Sequence, residues 1–238
     1  MGGMTRRPRR PDMTTAKLGE IHWGSGTLPE PFETCRRGDS DATFREADEY
    51  FGGRGELRRT LDRFAKRLDE AGIPYAVIGA MALFEHGHER FTTDVDVIVT
   101  ADARRRIHEL LVGNGFLPPF ANSRNLRDTL NGVRVDLVLA GEFPGDGKPK
   151  PVAFPDPSIE PLFVKDGIRF VTAEKLVELK LASGISHQLR YRDLGDVVSL
   201  IDSARLPREF GERLNPYVQP KWFEIWDAWS VDPMRDRY

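Results

Sequence analysis

The sequence predicts an α/β domain, and three observations predict it. Short valine-rich runs alternate with amphipathic segments of helical period, glycines stand at the joins, and one strand-like run alternates acid with valine.

The elements follow in order. Leu57, Leu61, Phe64, Ala65 and Leu68 recur at helical spacing between charged residues, predicting an amphipathic helix that ends near Ala71-Gly72. Pro74 to Gly79 reads as a buried strand, and Ala80 to His86 as a short helix entered directly from the glycine. Asp94 to Thr100 is a second strand, Ala103 to Val112 a helix closed by Gly113, and Val133 to Leu139 a third strand after the turn Asn131-Gly132. Gly141 to Pro157, rich in Gly and Pro, is a loop. Leu162 to Val164 and Ile168 to Val171 then flank Lys165-Asp166-Gly167 as a hairpin. A helix capped by Thr172, with Glu174 in its first turn, runs to about Ser183, and another from about Arg192 to Ala204. Trp222, Trp226 and Trp229, spaced by four and then three, predict a C-terminal helix that docks aromatic side chains on the body. Three regions result: a mostly disordered tail over 1–41, a core over 42–170 and a helical region over 171–238.

Composition removes several function classes. With 39% hydrophobic and 30% charged residues the chain sits near the globular average, which excludes a wholly disordered chain. Its most apolar uncharged stretch, Ala71 to Phe84, is too short to span a bilayer, so no membrane partner is expected. Thirty-five basic against 37 acidic side chains, net −2, remove an argument for nucleic-acid binding from overall charge. The arginines of the tail (Arg6, Arg7, Arg9, Arg10) read as a solvated terminus, with Ile21, Trp23 and Phe32 as its few large apolar anchors. One cysteine, Cys35, and no secretory pattern point to a reducing, cytoplasmic location.

The chemistry concentrates between Gly79 and Val99. Strand side chains alternate in direction, so Asp94 and Asp96 share one face while Val95, Val97 and Val99 face the core. Two like charges at that separation repel. A strand that sets them together without a nearby basic partner is explained by a bound divalent cation, magnesium first. On the strand after Gly132, Val133, Val135 and Leu137 share one face and Asp136 takes the other. If the two strands are neighbours, three carboxylates converge, enough for two metal ions and an in-line displacement at phosphorus. His86 and His88, at spacing two, share no helix face, so no zinc site is expected. Gly141 to Lys148 lacks the glycine spacing and the Ser/Thr of a phosphate loop.

Gly79-Ala80, a short helix, Asp94-Val95-Asp96 and then Asp136 on an apolar strand resemble the nucleotidyltransferase superfamily of the DNA polymerase β type. His86-Gly87, Arg90, Thr92 and Thr93, with Lys180 and Arg192-Asp193-Leu194-Gly195-Asp196 downstream, are similar to its minimal and abortive-infection (AbiEii-like) members, several of them toxins or antitoxin-associated. The resemblance covers roughly Gly72 to Leu200 and implies a small mixed sheet with flanking helices. It implies Mg²⁺, two ions, held by Asp94, Asp96 and Asp136, and a nucleoside triphosphate as substrate. It makes Asp94, Asp96, Asp136, Lys180 and Asp193 catalytic, with Gly79, Ala80, Arg90 and Thr93 on the nucleotide. The implied reaction moves a nucleoside monophosphate to a hydroxyl of a protein, a tRNA or a small molecule, with a cognate toxin or antitoxin as partner. Ala80 stands where that family often has serine or glycine, so the alternative is a catalytically degenerate, nucleotide-binding or antitoxin-like protein.

Overall fold

The computed structural model describes residues 29–32 and 40–233. Most of the stretch read as a tail, Cys35 included, lies outside the described residues; of its apolar anchors only Phe32 is described. That residue is buried in the main core, and its N–H donates to the Gly132 carbonyl at 3.3 Å.

Two helices, α1 (Ser40–Phe51) and α2 (Glu56–Glu70), lead into β1 (Ala76–Ile78), which passes directly into α3 (Gly79–Glu85). Then come β2 (Asp94–Val99), α4 (Ala101–Leu111), β3 (Phe116–Leu117), β4 (Leu126–Asp128) and β5 (Arg134–Leu139). The hairpin β6 (Leu162–Lys165) and β7 (Ile168–Val171) precedes α5 (Ala173–Ser186), α6 (Tyr191–Ser203) and α7 (Gln219–Ser230). Among the described residues seven strands form one mixed sheet in the order β3-β4-β5-β2-β1-β7-β6. β2 lies antiparallel to β1 and parallel to β5, and β1 runs parallel to β7. The fold is therefore α/β with a mixed sheet and flanking helices.

The local causes are those the pattern implies. Leu57, Leu61, Phe64, Ala65 and Leu68 are all buried on one side of α2, where each large side chain contributes about 1.5–3 kcal/mol by leaving water. Val95, Val97 and Val99 are buried beneath β2, and Val133, Val135 and Leu137 beneath β5. Thr100 and Thr172 cap α4 and α5, their side chains accepting from the N–H of Ala103 and Lys175. At the C-terminus Trp222 is fully buried, and Trp222 and Trp226 donate their indole N–H to the carbonyls of Arg208 and Leu206, each at 3.0 Å. The tryptophans are packing groups.

Three elements have no counterpart in the sequence pattern. Helix α1 buries only Ala42, Glu46 and Tyr50 among its described side chains. The short β3 and β4 extend the sheet beyond β5. Strand β4, Leu126-Arg127-Asp128, is wholly buried although two of its three residues are charged. Those charges are matched inside the protein: Arg127 donates to the Gly132 carbonyl at 2.7 Å, and Asp128 accepts from Thr60 and pairs with Arg63.

Candidate active site

Strands β2 and β5 are paired in parallel with Asp96 opposite Asp136 and Asp94 opposite Arg134. Registered neighbours project from the same side of a sheet, so Asp94, Asp96, Asp136 and Arg134 share one face. The reading that these strands are neighbours, with three acids on one side, corresponds to what the sheet shows.

A cleft of about 470 Å³ opens beside β2, lined by Gly79, Arg90, Thr92, Thr93, Asp94, Asp96, Lys180 and Asp193, with Arg190 and Arg192 at its outer wall. Strand β2, the loop before it, the α3 turn and the α5–α6 pair thus supply seven of the nine residues given a catalytic or nucleotide-binding role from the sequence: Gly79, Arg90, Thr93, Asp94, Asp96, Lys180 and Asp193. Asp136 reaches the site by its register beside Asp96. Ala80 does not line the cleft; its side chain is buried in the interior.

Gly79 has a reason of its own to be glycine. Its φ of +68° is left-handed, and a Cβ built there would overlap Asp96 Oδ2. Backbone and carboxylate therefore approach more closely than any other residue would allow.

The charge balance corrects one premise of the sequence reading, that the acid pair has no basic partner nearby. Arg134 Nη2 donates to Asp94 Oδ2 at 2.6 Å, and its Nε stands 2.9 Å from Asp136 Oδ1. One guanidinium thus bridges carboxylates on two strands. Asp94 is held from its other side by Thr92, whose hydroxyl donates to Oδ1 at 2.6 Å. Arg134 was legible in principle: two residues before Asp136 on a strand, it must share that residue's face.

Asp96 carries the strain of this crowding. Burial first, then the Asp94 and Asp136 carboxylates, push its pKa up to about 7 against the opposing charges of Lys180 and Arg134. Asp136 is also raised, by burial more than by Asp94, with Arg134 working the other way. Among the described residues no three His, Cys, Asp or Glu side chains stand as a ready ligand set for a metal ion. In kind the face suits one. It sets three carboxylates on one side of the sheet, and it already draws one positive charge between two of them.

Lys180 sits in the middle of α5 and turns toward α6. Its Nζ donates to Asp193 Oδ1 and Asp196 Oδ2, both at 2.7 Å, while Ser183 donates to Asp193 Oδ2 at 2.6 Å. Burial raises the Asp193 pKa, but the Lys180 charge and the Lys180 and Ser183 hydrogen bonds outweigh it, so the group ends below the usual carboxylate range. Arg90 adds a contact of 3.5 Å from Nε to Asp196 Oδ1. The motif that the sequence offers as Arg-Asp-x-x-Asp is thus a clamp holding one lysine at the cleft wall. Lys180→Met leaves the buried Asp196 and the half-buried Asp193 without their ammonium. It is expected to cost about 3–5 kcal/mol in denaturant unfolding; a loss below about 1 kcal/mol, the worth of an exposed pair, would show that the clamp is not buried in solution.

His86 hydrogen-bonds through Nε2 to the Val171 carbonyl at 2.8 Å, an anchor between α3 and β7. The Gly141–Lys148 loop is tied down by Lys150, which donates to the Pro144 carbonyl and to Asp146, both at 2.6 Å.

No family model matches the chain, and no curated protein matches it. Among solved structures it is similar to an H. pylori protein assigned as a nucleotidyltransferase, at 17% identity and a TM-score of 0.39, covering 75% of this chain and 84% of that one. It is also similar to ANT(2'')-Ia in complex with adenylyl-2''-tobramycin, at 12% identity and a TM-score of 0.35, covering 75% and 94%. A solution structure of the antibiotic-resistance factor ANT(2'')-Ia matches at 15% identity and 0.39, covering 71% and 90%. At TM-scores this low, function rests on the geometry of the site.

Proposed function

We propose that the protein is a Mg²⁺-dependent nucleotidyltransferase that moves a nucleoside monophosphate from a triphosphate to an acceptor hydroxyl. The observation that carries this reading is the parallel register of β2 and β5, which sets Asp94, Asp96 and Asp136 on one face beside a cleft bounded by Gly79 and Lys180.

The acceptor oxygen bonds to the α-phosphorus while the bond from that phosphorus to the β-bridging oxygen breaks, so pyrophosphate leaves and the hydroxyl proton passes to Asp136. A carboxylate whose pKa is raised by burial is a better base for that proton than an exposed one. Lys180 and Arg90 face the triphosphate from the α5 side, and the exposed Arg190 and Arg192 receive its outer phosphates. Thr92 keeps Asp94 oriented. Mg²⁺, two ions by the family resemblance, would be held by Asp94, Asp96 and Asp136 and would supply positive charge at the α-phosphate and lower the pKa of the acceptor hydroxyl. A toxin–antitoxin or phage-defence setting, with a cognate partner, is proposed on that resemblance.

The test is a screen of the four α-labelled triphosphates with Mg²⁺ and cell lysate, reading label in protein, RNA and small-molecule fractions. Transfer into one fraction names the acceptor class. Nucleotide binding with no transfer into any fraction would contradict the catalytic reading and favour a binding protein of the same fold.

A further inference from the structure

We propose that Arg134 is a built-in counter-cation that competes with a divalent metal ion for Asp94 and Asp136, so that the ion is taken up only as the guanidinium leaves. The inference rests on the metal-dependent reading above and adds a residue to it. Its ground is the bridge across two strands: Arg134 meets Asp94 at 2.6 Å and Asp136 at 2.9 Å through two different nitrogens. Both oxygens of Asp94 are then engaged, one by Arg134 and one by Thr92. An arginine keeps its charge at every accessible pH, so it can be moved aside but not neutralised. At 37% its side chain is more exposed than those of Asp94 and Asp136, at 23% and 22%, so of the three it is the one with most contact with solvent.

Two consequences follow from one charge. Without metal, Arg134 relieves the repulsion between carboxylates that the sheet register forces together. With metal present, the same charge opposes the incoming ion, and free divalent cations bind more weakly than three carboxylates would otherwise bind them.

The test is Mn²⁺ binding to the 238-residue chain, followed by loss of the free-ion paramagnetic resonance signal, in wild type, Arg134→Gln and Arg134→Lys. The glutamine variant is expected to bind Mn²⁺ about tenfold more tightly than wild type, and the lysine variant, which spans one carboxylate at a time, to fall between. Without metal the glutamine variant is expected to melt below wild type, and Mn²⁺ to close that gap. A glutamine variant with wild-type circular dichroism and unchanged or weaker Mn²⁺ affinity would overturn the proposal; label transfer by wild type would then show that the functional reading survives. If no protein binds Mn²⁺, this proposal and the metal-dependent reading fall together. If the glutamine variant does not fold, the lysine variant decides: tighter binding than wild type supports the proposal, and equal or weaker binding overturns it.

Discussion

Asp96→Asn is expected to abolish transfer and, in EDTA at neutral pH, to make the protein more stable. Loss of transfer by at least about 10²–10³-fold follows from removing one of the three carboxylates that would hold the metal ions. The gain in stability follows from linkage. Asp96 has a folded pKa of about 7 against an ordinary value of 3.8, so the folded state holds this proton more tightly than the unfolded chain does. That contribution is fully present below pH about 4 and is lost as pH rises toward 7, to a total of up to roughly 4 kcal/mol. Asparagine cannot ionise and escapes the loss. Denaturant unfolding of the two proteins at intervals from pH 4 to 8 measures it: the wild-type curve should fall relative to the variant's across that window, and parallel curves would show that Asp96 is not crowded.

The second large effect belongs to Gly79→Ala. Alanine at a φ of +68° costs about 1–2 kcal/mol, and its Cβ would overlap Asp96 Oδ2, so the substitution strains the turn and displaces the carboxylate together. Transfer is expected to fall nearly as far as in Asp96→Asn, while unfolding free energy drops by about 1–3 kcal/mol. Gly72→Ala separates the two causes, because Gly72 has a comparable φ of +59° with nothing within 4 Å of the added carbon. Its cost should be the backbone strain alone, with transfer unchanged. Full activity in Gly79→Ala would mean that the turn and the carboxylate do not meet as described.

The parts of the fold and site that were legible share a cause: one periodicity acting on one face. Alternating valines and aspartates on β2 and β5 reveal both the buried side and the acidic side, because a strand side chain has only two directions to take. Lys180 and Asp193 were legible as residues but not as partners, since the contact depends on how α5 packs against α6. Asp193 and Asp196 stand three apart in the sequence, and only the packed helices place the Lys180 ammonium between them. Strand β4 was hidden because its arginine and aspartate are satisfied by Gly132, Thr60 and Arg63, contacts that no periodicity in the sequence reveals. Arg134 was hidden differently. Its position on the acidic face is fixed by counting two residues back from Asp136, but its bridge to Asp94 exists only once β2 and β5 are known to be parallel and in register.

The measurement closest to the central claim compares α-labelled with γ-labelled triphosphate in the presence of Mg²⁺ and the acceptor fraction that the lysate screen identifies. The account predicts that α-label becomes covalently attached to the acceptor, that γ-label appears only in pyrophosphate, and that Asp96→Asn does neither. Attachment of γ-label to the acceptor, or equal α-label transfer by Asp96→Asn, would contradict it.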